Sequence, residues 1–474
     1  MEQSNKLNKL QMTSGPILKN IVIFAVPLML TNLLQVFYSV SDTVVVSLSS
    51  EQDAVGAIGT TTAMINLIVN IFIGCSVGAR VAMAQCLGAK NKTAAENTIH
   101  TAMLLSIIFG IICSVVGIVV TEPILKAMGN RGRLLTLAIT YAKIYFFGVP
   151  FISATNFATA IINANGDTKT PLYIMIFSGF LNVSLNLLFV LVFNMSVDGM
   201  AIATTLSNAV SAIFLIAYLM RNKGMCQLKI KKLRLEKKAL LRILHIGVPA
   251  GIQSALFSLS HMVIQSSIVT VNNMIASPDS AFQPVVKGSA AGTSIESFGF
   301  TGVNSIAQAA ISFTGQNMGA EQYKRIEKVR NSCYSIVFVM TTLFAVLMLC
   351  MRRPLLSLYG VHIGIQGSLE QIAYDAAVTR MFCMFIPYFL LGFMEVGSGI
   401  MQGMGYSFTS TAVSLTGSVV FRILWIMTVF RIFPKLEIIF ISYPVSWLLT
   451  SITQYIYTRI VLKRKQKETR QRIS

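Results

Sequence analysis

The chain is 474 residues long, 54% apolar and only 12% charged, with a formal net charge of +20. Soluble globular proteins carry about 25% charged residues because their surfaces must be wetted, so an ordinary soluble domain is excluded and a bilayer supplies the missing solvent. The basic excess alone would suit nucleic acid, but its distribution along the chain points to topological anchors beside anionic lipid.

In chain order, charge-free runs occupy 20–41, 54–79, 97–121, 144–166, 170–197, 199–220, 243–278, 297–320, 331–351 and 438–458. A helix needs about 20 apolar residues to cross a hydrocarbon core of about 30 Å, so these are ten clean spans. Two more lie within 375–430, interrupted only by Arg380, Glu395 and Arg422. All twelve are predicted to be helical, because an unpaired backbone amide in lipid costs several kcal/mol.

With the N-terminus inside, the inside segments hold 27 Lys and Arg residues and the outside segments eight. This bias places both termini in the cytoplasm. Lys6, Lys9 and Lys19 precede an apolar run too long for a cleavable signal. The seven cysteines show no C-x-x-C spacing, so packing is expected of them and neither disulfides nor a metal site.

The chain repeats itself. AQCLGAKNKTAAE (84–96) matches GQNMGAEQYKRIE (315–327) at an offset of 231, pairing Gln85 with Gln316, Gly88 with Gly319 and Glu96 with Glu327. The same offset pairs Pro123 with Pro354 and Gly129 with Gly360, while FAVPL (24–28) resembles IGVPA (246–250) and Gly166 falls opposite Gly405. Six helices per half is an even number, so both halves insert with one orientation and are related by an axis along the membrane normal. The expected division is an N-terminal lobe at 1–220, a basic cytoplasmic linker at 221–240, and a C-terminal lobe at 241–474 ending in a basic tail.

Ionisable and polar residues inside spans are costly and therefore candidates for function. In the first span, Thr31, Gln35, Ser39 and Asp42 share one helical face, expected to look into the bundle beyond a hinge at Pro27. In the fifth span Asn182 and Asn186 are one turn apart, and Asn186 lies about 22 Å above the span's start near Pro171. Thr204, in the sixth span, descends about 9 Å from the outer side, so these residues arrive at nearly one depth in the outer half. An Asp, two Asn and a Thr supply hard oxygen ligands for a small cation, or hydrogen bonds to a protonatable carboxylate. A plain interhelical polar contact would use the same residues.

In the second half, Glu395 is a second buried carboxylate with Arg422 as a candidate partner. Glu296 is read at the start of the eighth span, and His261 on the face of Gln253 and Gln265. These residues, with Gln35, Tyr38 and Ser39, are candidates for a substrate cavity or a polar core. No phosphate-cradling G-x-x-x-x-G-K-[ST], no H-E-x-x-H and no G-x-S-x-G occurs. An enzyme and a cofactor are therefore not expected, and energy must come from a gradient.

The opening PILKNIVIFAVPLMLTNLLQVFYSVSDTVVV, with AVGAIG (54–59), NANGDTKTP (163–171), GMAIATTLS (199–207) and the Gln-x-x-Gly-Ala turns, resembles the multidrug and toxic compound extrusion (MATE) transporters, prokaryotic branch. The resemblance runs from about 14 to 460. It implies an all-α membrane protein of twelve helices in two six-helix lobes around a central cavity. It also implies export of organic, cationic or neutral compounds in exchange for H⁺ or Na⁺ by rocking of the lobes. By position, the cation site of the prokaryotic members maps to Asp42, Asn182, Asn186 and Thr204. Relatives often carry a second Asp where this chain has Asn186, which leaves Asp42 as the sole acid and tips the expectation towards protons.

The expected partners are a small-molecule substrate, the coupling ion and the lipid of the cytoplasmic (inner) membrane, with no nucleic acid and a monomeric chain. An alternative is a flippase or exporter for a lipid-linked precursor or metabolite, whose anionic head would need a basic cavity. A third is a membrane sensor, which would leave the repeat and the buried carboxylates unexplained.

Overall fold

A computed structural model describes residues 10–47, 51, 53–222, 224–276 and 282–473. The anchors Lys6, Lys9 and Lys223, and residues 277–281 of the expected outer loop at 277–287, lie outside the described residues. Every regular element among the described residues is helical. The first half comprises α1 (Ile17–Ser47), α2 (Ala54–Gly88), α3 (Lys92–Ala127), α4 (Gly132–Ala164), α5 (Lys169–Leu187, extended by a π turn at Leu188–Val192) and α6 (Val197–Arg221). The second comprises α7 (Lys237–Ile275), α8 (Pro284–Gly319), α9 (Tyr323–Cys350), the short α10 (Arg352–Leu358), α11 (Leu369–Phe385) and α12 (Tyr388–Gly403). It continues with α13 (Ser407–Ser414), a π turn at Leu415–Val420, α14 (Phe421–Met427), α15 (Val429–Ile432) and α16 (Leu436–Ile473).

Among the described residues ten helices are long and apolar enough to cross a bilayer, and α11 with α12, bent by 50°, makes eleven if the pair is one span. The bend falls at Ile386–Pro387, where proline withdraws an amide and disfavours helix in the residue before it. The remaining expected span is α8, 36 residues long. Ser, Thr, Asn and Gln along its length dilute its apolar character, so it is not among the ten.

The chain divides into two compact units, one of residues 1–15, 22–255 and 315–322, the other of 16–21, 256–314 and 323–474. In the first, α2 and the start of α7 meet through two G-x-x-x-G patterns, Gly74/Gly78 and Gly247/Gly251. A β-carbon on Gly74 would lie 2.1 Å from the Gly251 nitrogen, and one on Gly78 would lie 2.2 Å from the Ile243 oxygen. Small residues matter here because lipid is as apolar as leucine, so helices associate by close backbone packing. The segment after the N-terminus is tied down in the same unit: the Leu10 amide donates to the Gly166 oxygen (3.3 Å) and Asn317 Nδ2 to the Met12 oxygen (3.1 Å).

The basic linker is also docked. The Lys229 amide donates to His100 Nε2 (3.1 Å), the Glu236 amide to Thr101 Oγ1 (3.0 Å), and Arg234 Nη2 to Asn97 Oδ1 (3.0 Å). Lys232 pairs with Glu96 at 2.6 Å. Residues 229–236 are thereby fastened along the first turns of α3.

The internal repeat recurs in backbone geometry. Lys90 and Glu321 are both non-glycine residues with positive φ, 52° and 56°, at the same 231-residue offset. Gly129 and Gly360 both close helices in the left-handed region, as do Gly166 and Gly405. In the second unit, α8 lies against α11 so tightly that a β-carbon on Gly288 would meet the Ala373 oxygen at 2.0 Å. In the same unit Phe344, Phe385, Tyr388 and Trp447 form a run of ring contacts.

Candidate functional site

Three helices of the first unit bring one polar chain together. Asn186 Nδ2 donates to Asp42 Oδ1 at 2.5 Å and to Asn182 Oδ1 at 3.3 Å, and Asn182 Nδ2 reaches Thr204 Oγ1 at 3.4 Å. Asn186 is fully buried and Asn182 is 6% exposed. Asn186 Oδ1 is buried without a hydrogen-bond partner among the described residues. Such an orphan acceptor is uncommon, since buried polar atoms are ordinarily satisfied. The π turn of α5 begins two residues after Asn186, and π turns recur at functional positions in helices.

Asp42 thus faces α5 and not the outer charges Glu51 and Asp53; Glu51 is paired with Arg133. The rest of its sequence stripe behaves differently. Thr31 is buried and donates to the Pro27 oxygen (2.9 Å), whereas Gln35 and Ser39 are exposed. At about 100° per residue Asp42 returns to within about 20° of Thr31, while Gln35 and Ser39 drift by about 40° and 80°. Thr31 and Asp42 are therefore the most closely aligned pair of the four on α1. Tyr38 packs on α5: its hydroxyl lies 3.4 Å from the Met175 oxygen, and its ring fills the space that a β-carbon on Gly179 would need. Pro27 lies inside an unbroken α1.

Tyr141 and Tyr145 of α4, absent from the sequence candidates, lie within electrostatic range of Asp42. Their one signal was two tyrosines spaced by four, on either side of Lys143.

The second unit gathers a different set. Arg380, one of the residues that interrupt 375–430, is 5% exposed and forms a 2.9 Å ion pair with Glu296. Its Nη1 reaches Ser289 Oγ at 3.2 Å, and Gly292 leaves room for its stem. Glu296 is not at a helix start, because α8 begins at Pro284, a proline well suited to a first turn. Glu395 and Arg422 form no ion pair within 4 Å among the described residues. Arg422 Nε instead donates to Ser446 Oγ (2.9 Å), and its guanidinium stacks 4.1 Å over the Tyr443 ring. His261 Nδ1 lies 3.4 Å from the Tyr443 hydroxyl. Arg380, Tyr443 and Ser446 were missed because they matter through partners far away in sequence.

Comparison with known proteins agrees with this architecture. The MatE family profile matches residues 27–188 and 249–428. The chain is 26% identical to the probable multidrug resistance protein YoeA of Bacillus subtilis, over 98% of this chain and 99% of that one. It is 23% identical to the multidrug export protein MepA of Staphylococcus aureus, over 87% and 88%. Among solved structures, the outward-facing conformation of a multidrug resistance MATE family transporter of the MOP superfamily superposes with a TM-score of 0.87. It is 20% identical, covering 97% of this chain and 99% of that one. A MOP superfamily transporter from Pyrococcus furiosus, described as having a binding pocket of reversed polarity, gives 0.86 at 21% identity, covering 97% and 98%. With two repeated halves, ten or eleven candidate spans among the described residues and a family match on both halves, the chain belongs to the MatE family of multi-pass membrane transporters.

Proposed function

We propose that the protein is a secondary active exporter that moves organic compounds out of the cell in exchange for H⁺ or Na⁺, both termini lying in the cytoplasm. The observation that carries this is the chain Asp42–Asn186–Asn182–Thr204, buried at its two asparagines, with an Asn186 oxygen that has no partner among the described residues. One carboxylate and several neutral oxygens offer a single negative charge, which suits a proton or a monovalent cation better than a divalent one. Asp42 is the exchanging group: it loads from the outside and releases when substrate is bound, as the two lobes alternate in access. Asn186 and Asn182 orient it, Thr204 completes the oxygen set, and Pro27 serves as the hinge of α1. The multidrug names of YoeA and MepA support a broad range of organic substrates.

The test is flux of a fluorescent organic cation from proteoliposomes under a pH gradient and a Na⁺ gradient, imposed separately. Acceleration by one of them is expected. Identical flux with and without either gradient would overturn the exchange mechanism.

A further inference from the structure

We propose that the linker at 229–236 and the first turns of α3 form a receptor for an anionic phospholipid headgroup, with Lys231 and Arg234 taking the phosphate.

A cavity of about 320 Å³ opens between the two, lined by Lys231, Lys232 and Arg234 from the linker and by Glu96, Asn97 and His100 from α3. Most of these groups are spent on docking. Lys232 pairs with Glu96, and Asn97 accepts from Arg234 Nη2. His100 uses both ring nitrogens: Nδ1 lies 2.5 Å from the Glu96 oxygen, and Nε2 accepts from the Lys229 amide. The Thr101 hydroxyl donates to the Arg234 oxygen at 3.3 Å, which fixes the backbone at that residue.

Two cationic ends are left over. Lys231 has no hydrogen bond or ion pair among the described residues, and Arg234 commits only Nη2 of its guanidinium. The one carboxylate on the wall is already paired, so the cavity offers uncompensated positive charge and N–H donors, the requirements of a phosphate. The positive-inside bias asks for charge near the membrane. It does not ask for a segment fastened so that a lysine and an arginine frame a cavity.

Two observations favour a lipid over a free phosphate. The charge-free run of α3 starts at 97, and Thr93, also on the cavity wall, lies about 6 Å to the loop side of that point. The cavity thus sits at headgroup level, in a layer about 5–7 Å thick. Beside it, Ile230 and Leu235 are 58% and 45% exposed in a segment outside the candidate spans. Apolar side chains interleaved with basic ones suit a segment lying in the membrane interface, with its cations on lipid phosphates.

The experiment is native mass spectrometry of the full chain in a neutral detergent, titrated with phosphatidylglycerol or with phosphatidylcholine of the same acyl chains. No substrate or gradient enters, so failure of the exchange mechanism and failure of this site are separable. The first phosphatidylglycerol should bind at least about fivefold more tightly than the first phosphatidylcholine. Lys231→Gln should weaken phosphatidylglycerol about fivefold, and Ile230→Ser should weaken both lipids alike. Lys238→Gln removes the same charge from an exposed position off the cavity wall and should leave both affinities unchanged. Melting midpoints of the lipid-free variants, expected to match the wild type, report that each is folded. Inorganic phosphate at the lipid's concentration should not displace it. Equal affinity for the two lipids, equal losses in Lys231→Gln and Lys238→Gln, or displacement by phosphate would overturn the proposal.

Discussion

The carbonyl oxygen of Gln316 occupies the space beside Gly88: a β-carbon there would lie 1.8 Å from it, and reciprocally a β-carbon on Gly319 would lie 2.0 Å from the Gln85 oxygen. The Gln-x-x-Gly motif of each half is thus the contact surface for the other. Gln85 also accepts from Arg242, and Gln316 Nε2 donates to the Ala164 oxygen at 2.7 Å.

Gly88→Ala and Gly319→Ala should each destabilise the protein, since overpacking against backbone costs about 1–3 kcal/mol. Thermal unfolding in detergent checks this. Gly59→Ala is the control, because nothing among the described residues lies within 4 Å of its would-be β-carbon. Equal melting of all three variants would contradict the crossing.

A β-carbon on Gly179 would sit 1.7 Å from the Tyr38 ring. Gly179→Ala should therefore lower the melting midpoint, and Tyr38→Ala should relieve the clash, so that the double variant melts above Gly179→Ala alone. Strict additivity of the two substitutions in the same assay would show that α1 and α5 do not meet there.

The buried Arg380–Glu296 pair predicts asymmetric losses. Removing one partner leaves an uncompensated charge and should cost about 3–5 kcal/mol, whereas Arg380→Met with Glu296→Leu should recover much of that. Exposed pairs such as Lys126–Glu122, with side chains 58% and 46% accessible, should matter little when broken. Unfolding midpoints across this set decide the point.

The Arg133 guanidinium beside Glu51 holds its carboxyl below the usual carboxylate range. A depressed folded-state pKa contributes stability above the unfolded value, lost as pH falls through the folded one. Glu51→Gln should therefore lower the midpoint slightly near neutrality and not below the acid transition. A pH series of melting curves measures it.

The helices were legible because lipid demands long uncharged runs, and Asp42, Asn182, Asn186 and Thr204 could be brought to one depth by rise per residue alone. Gln35 and Ser39 are more exposed on α1 than Thr31 and Asp42, as a four-residue spacing drifts around the helix. Glu296 was misplaced because apolar runs say where lipid is, not where a helix begins, and α8 starts at Pro284, well before its charge-free stretch. Arg422 was read as a partner for Glu395 on charge alone. Its real contacts, Ser446 and Tyr443, lie on α16 and only the tertiary fold brings them to it. The π turns beside Asn186 and Arg422 leave no mark in composition.

The central claim is that Asp42 carries the exchanged ion, and the most direct measurement is gradient-driven efflux by Asp42→Asn in proteoliposomes. The account predicts that substrate still binds while acceleration by the coupling gradient disappears. Coupled efflux at the wild-type rate would contradict it.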